Sequence, residues 1–92
     1  MKVVKIGAIW CGGCLVMNKV WNKLLKNYSF DYLELDLDMD EEEVKQYNPG
    51  DKLPIFIVMD NDKEIDRYVG EFSYEELESK LKDVGVLDEK NN

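Results

Sequence analysis

The chain has 92 residues, 45% of them apolar, and 20 acidic against 12 basic side chains leave a net charge of -8. That length holds one domain with one modest core. The charge repels nucleic acid and anionic lipid, and no apolar run approaches the roughly 20 residues of a bilayer crossing, so neither nucleic acid nor membrane is expected as a partner.

Lys2 to Ile9 is rich in Val and Ile, as a strand covered on both faces should be, and Gly7 and Ala8 allow close backbone approach. This stretch is expected to be the first, central strand. Met1 to Ile6 is too short for the apolar region and cleavage site of a signal peptide, and a cytoplasmic location is expected. The only two cysteines follow at once, in Trp10-Cys11-Gly12-Gly13-Cys14. From Met17 the apolar residues Met17, Val20, Trp21, Leu24 and Leu25 fall on one helix face, so the cysteines lie across the helix's first turn.

Leu33, Leu35 and Leu37 alternate with Glu34 and Asp36, which predicts a second strand from Phe30 to Leu37, parallel to the first. Asp38 or Asp40 is expected to cap a short helix through Glu41, Val44 and Tyr47, ended by Asn48-Pro49-Gly50. Pro54 to Met59 reads as a third strand, Asp60-Asn61-Asp62 as a hairpin turn, and Lys63 to Val69 as a fourth, antiparallel strand. Ser73 with Glu76 forms a capping box for a last helix, with Phe72 and Leu77 as staple and Gly85 as stop. The order β-α-β-α-β-β-α is an α/β fold, a four-stranded mixed sheet with three helices on its two faces. Residues 1–87 are expected to be the domain and residues 88–92 a polar C-terminal tail.

Two thiols across the first turn of a helix can close a small disulfide ring and reopen it, while the helix N-terminus stabilises a thiolate. The competing readings are a structural pair or a metal site. A zinc or iron–sulfur site takes about four Cys or His ligands, and with two Cys and no His a metal would need carboxylates or a second chain, so none is expected.

Trp10-Cys11-Gly12-Gly13-Cys14, then Leu53-Pro54 opening a strand, then Val69-Gly70 before a capped C-terminal helix, resemble the thioredoxin family over nearly the whole chain. The resemblance implies a thioredoxin-like fold and a protein-disulfide reductase. It also implies a cis Pro54 against the Cys pair and a substrate groove bordered by Trp10, Gly12, Gly13, Leu53, Pro54 and Gly70. Taken singly, Pro54 and Gly70 also read as an ordinary strand-opening proline and a turn glycine. Implied partners are disulfide-containing proteins and a thioredoxin reductase as electron donor, with no cofactor beyond the Cys11/Cys14 disulfide itself, and the protein is expected to act as a monomer.

Four features depart from the family pattern. The chain starts on the strand that leads into the cysteines, the minimal arrangement of glutaredoxins. Gly13 stands where a proline is usual, and Leu53 where a β-branched residue is common. Lys5 occupies the place of a buried Asp, and Glu34 that of its Lys partner, so the pair is either kept with reversed signs or turned to solvent. In the implied cycle Cys11 attacks and Cys14 resolves, with Glu34, Lys5 or water handling the proton. The alternatives are a glutathione-dependent, glutaredoxin-like reductase and a redox-sensing or adaptor module that docks without turnover. Glu71-Phe72 after Gly70, with Lys52 as the main nearby cation, suits glutathione poorly.

Overall fold

The computed structural model describes residues 1–89 of the chain. It runs β1 (Lys2–Gly7), α1 (Gly12–Asn27), β2 (Tyr28–Ser29), β3 (Asp31–Asp36), α2 (Glu41–Lys45), β4 (Ile55–Asp60), β5 (Lys63–Val69), α3 (Tyr74–Asp83) and β6 (Asp88–Glu89). The main sheet has the order β3-β1-β4-β5, with β1 parallel to β3 and antiparallel to β4. The mixed four-stranded sheet and three helices expected from the sequence are present.

Strand alternation divides the core between the two sheet faces. Val3, Phe56 and Val58 face one side, where Met17, Trp21 and Leu24 of α1 and Leu77 and Leu81 of α3 cover them. Val4, Ile6, Leu35, Ile55 and Ile57 face the other, under Val44 of α2. Trp21 is the largest fully buried side chain and meets Phe30 and Tyr32 edge-on at 5.5 and 5.7 Å. It belongs to the core, in an arrangement favoured by the ring quadrupoles.

Besides a one-residue shift of the third strand to Ile55–Asp60, three local features differ from the expectations. The second strand begins one residue later than expected and ends one earlier, at Asp36, because the Asp36 carboxylate turns the chain by accepting the Asp38 and Met39 N–H groups at 2.9 and 3.0 Å. Asp40 stands at the N-cap position of α2, yet its side chain makes no cap bond there and instead accepts the Asp36 N–H at 2.8 Å. The residues assigned to a polar tail begin with Asp88 and Glu89, which pair with Ser29 and Tyr28 as a separate two-stranded sheet. Residues 90–92 of that tail lie outside the described residues.

The hairpin turn is Asn61-Asp62, with Asn61 in the left-handed region at φ 56°, a conformation Asn tolerates. The capping box at α3 is complete: Glu76 N–H donates to Ser73 Oγ at 3.1 Å, and Ser73 N–H donates to Glu76 Oε1 at 3.2 Å.

Candidate active site around the cysteine pair

The site begins where β1 hands over to α1. Cys11 leaves the extended chain at φ -88° and ψ 113°, and its Sγ accepts the Cys14 N–H at 3.2 Å. The thiol thus takes the role of an N-cap side chain, satisfying one of the backbone donors that open every helix. Both thiols are free; Cys11 is half-buried, whereas Cys14 is 4% exposed. A Cβ on Gly7 would come within 3.2 Å of Cys14 Sγ, so the glycine at the end of β1 gives the inner sulfur its seat. Burial, followed by the hydrogen bond to Cys11, pushes the Cys14 thiol up to about 11, against the pull of the Ala8 backbone and the Lys5 ammonium.

Trp10 is exposed beside Cys11, and its indole Nε1 donates to Asp38 Oδ2 at 2.7 Å. Asp38 was not singled out from the sequence as a site residue. Its role arises only because the parallel pairing of β1 and β3 brings the ends of both strands together.

Pro54 and Gly70 also converge. The Leu53-Pro54 bond is cis, and Gly70, at φ 106°, donates its N–H to the Pro54 carbonyl at 2.9 Å. A left-handed φ of this kind requires glycine. The segment after Gly70 reaches α1: Phe72 N–H donates to Met17 Sδ at 3.2 Å, and the Glu71 side chain lies where a Cβ on Gly13 would meet it at 3.3 Å. Gly12 faces open space. Leu53 is half-buried, its side chain packed against the core cluster that includes Val44 of α2.

Lys5 and Glu34 are register partners on β1 and β3, as expected, but their burial is unequal. The Lys5 side chain is 9% exposed and that of Glu34 51%, with Lys5 Nζ 3.7 Å from Glu34 Oε1. The reversed-sign pair is therefore present as a buried cation with a half-exposed anion. Lys5 Nζ also donates to Asn18 Oδ1 at 2.8 Å, a partner on α1 that sequence spacing did not mark. Lys5, Cys14, Asn18, Glu34 and Asp40 line one cavity of about 340 Å³.

Among the described residues no three Asp, Glu or Cys side chains converge as a metal site, and no helix is long and apolar enough to cross a membrane.

Comparison with known proteins agrees with this geometry. The sequence model of the thioredoxin family matches residues 1–83. Thioredoxin H5 of rice (Oryza sativa subsp. japonica) is 36% identical over 80 residues, which make up 86% of this chain and 58% of that protein. The chain thus spans less than two thirds of that relative's length. A thioredoxin from Nicotiana alata superposes with a TM-score of 0.80 at 30% identity, covering 89% of this chain and 70% of its own. The reduced thioredoxin pre-protein of Schistosoma mansoni gives 0.78 at 29% identity, covering 89% and 76%. Matched by that family model over residues 1–83, with Cys11 capping α1, Cys14 buried behind it and a cis Pro54 bonded to Gly70, the chain belongs to the thioredoxin family.

Proposed function

We propose that the chain reduces protein disulfides through a Cys11/Cys14 dithiol–disulfide cycle. The observation that carries this reading is the asymmetry of the pair: Cys11 caps the end of α1 within reach of solvent, while Cys14 is buried behind it. Cys11 thiolate attacks one sulfur of a substrate disulfide, forming a mixed disulfide and expelling the first substrate thiolate. Cys14 then gives its proton to solvent water and attacks Cys11 Sγ. The Cys11–Cys14 bond forms, the bond to the substrate breaks, and the second substrate sulfur leaves as a thiolate that takes a proton from solvent. Substrate is reduced and the protein oxidised by two electrons.

Trp10, Gly12, Gly13, the Leu53 backbone, Pro54 and Gly70 border the groove for an extended substrate chain. A thioredoxin reductase returns the electrons, and the reducing cytoplasm is where such a cycle operates. Between this donor and glutathione, the scarcity of cations favours the reductase: the two carboxylates of glutathione call for paired cations, and Lys52 is the main one flanking Pro54.

The test is insulin disulfide reduction with NADPH and thioredoxin reductase, run in parallel with glutathione and its reductase. Turnover with the first donor and little with the second is expected. No turnover with either, while Cys14→Ser still captures partners, would leave the docking module as the correct description.

A further inference from the structure

Lys5 is the only buried charged residue among those described, and it lies in the same cavity as the buried thiol. Taking an ammonium out of water costs several kcal/mol, and an ion pair with a half-exposed carboxylate returns little of that. Asn18 supplies a neutral acceptor at 2.8 Å, which fixes the direction of the ammonium without cancelling its charge. What the arrangement supplies is a positive field at Cys14.

We infer that Lys5 is a positioning residue for the second half of the cycle: its fixed positive charge stabilises the Cys14 thiolate that resolves the mixed disulfide. This inference rests on the dithiol cycle proposed above. In the resolving step Cys14 passes its proton to solvent water, its thiolate forms the bond to Cys11 Sγ, and the bond from Cys11 to the substrate sulfur breaks. Negative charge therefore appears on Cys14 beside Lys5 and departs with the substrate. A cation there favours the step, whereas a neutral side chain leaves the thiolate to burial alone. Lys5 is indeed among the groups that pull the Cys14 thiol down against the stronger effect of burial.

The titratable groups around Lys5 and Cys14 are Cys11 at the cap of α1, Glu34 and Asp36 on β3, and Asp40 before α2. Asp36 and Asp40 are engaged by backbone N–H groups of their own turn. Glu34 is the anion paired directly with Lys5, and it moderates the field that Cys14 feels.

Ellman's reagent separates the two halves of the cycle on the whole protein. The first aromatic thiolate released reports attack by Cys11, and the second reports attack by Cys14 on the mixed disulfide. Lys5→Met is expected to slow the second phase and move its pH profile upward while changing the first by less than about twofold. Each pKa unit removes about nine tenths of the thiolate, and the greater nucleophilicity of a more basic sulfur offsets part of that, so the loss at pH 7 is about three- to fourfold per unit. Lys5→Arg should restore the profile.

Glu34→Gln provides the opposite arm and is readable even if Lys5→Met does not fold. It removes the moderating anion and is expected to move the second-phase profile to lower pH. A structural defect would slow the phase in both variants. An unchanged second phase in a folded Lys5→Met, or an upward move in Glu34→Gln, overturns the inference. Failure of the wild-type protein to reduce insulin would instead overturn the proposed function, with the two phases still measurable.

Discussion

The indole N–H of Trp10 donates to the carboxylate of Asp38 across 28 positions of sequence, at 2.7 Å. The bond ties the exposed ring beside Cys11 to the loop that follows β3. That loop is itself held by the Asp36 carboxylate and by Asp40. The exposed indole thus stands on a braced support rather than on a free rotamer.

Asp38→Ala should release the ring and lower the rate of disulfide reduction a few-fold, while Asp38→Asn, which keeps an acceptor oxygen, should retain most of the rate. Because both partners are exposed, the stability change should stay within about 1 kcal/mol. Insulin reduction rates and thermal melts of both variants check the two halves of this expectation.

The thiols should differ in order of reaction. Cys11 is expected to be alkylated first near neutral pH, and Cys14→Ser should retain that reactivity and accumulate mixed disulfides on Cys11. Cys11→Ser should leave a slowly reacting thiol, because Cys14 is buried and pushed up to about 11. Mass mapping after brief alkylation at several pH values reads this directly.

The raised Cys14 thiol also makes stability depend on pH. An unfolded thiol ionises near about 8.5, while the folded one stays protonated up to about 11. Between those values the unfolded chain holds fewer protons, so the contribution is intact below the first value and is lost as pH rises through the second. Urea melts of the reduced protein should therefore show a steeper loss of stability over this window than melts of Cys14→Ser. Equal slopes would contradict the burial of the thiol.

Two glycines should respond in opposite ways to alanine. Gly13 lies in the first turn of α1, and its substitution gains helix propensity of up to about 1 kcal/mol if the flexible Glu71 side chain moves aside. Gly70 has open space around it but sits at φ 106°, so Gly70→Ala should cost about 1–3 kcal/mol. Denaturation midpoints of the two variants should move in opposite directions, and removing the Glu71 side chain as well should enlarge the gain at Gly13.

The cysteine pair at the head of an amphipathic helix, the period-2 leucines of β3, the hairpin and the capping box of α3 were all legible in the sequence. Each depends on residues within a few positions of one another, where backbone geometry dictates which side chains share a face. The register partnership of Lys5 and Glu34 was legible only through the resemblance to the thioredoxin family, whose paired positions the two residues occupy. What only the tertiary structure decided is what those elements do to one another: Asp38 receives Trp10, Asn18 holds Lys5, Glu71 lies on Gly13, and Leu53 packs into the core. These contacts depend on how the loop after β3 turns and how closely the β5–α3 segment approaches α1. Local propensity carries no information on either, and the unequal burial of Lys5 and Glu34 goes with the place of β1 inside the sheet and of β3 at its edge.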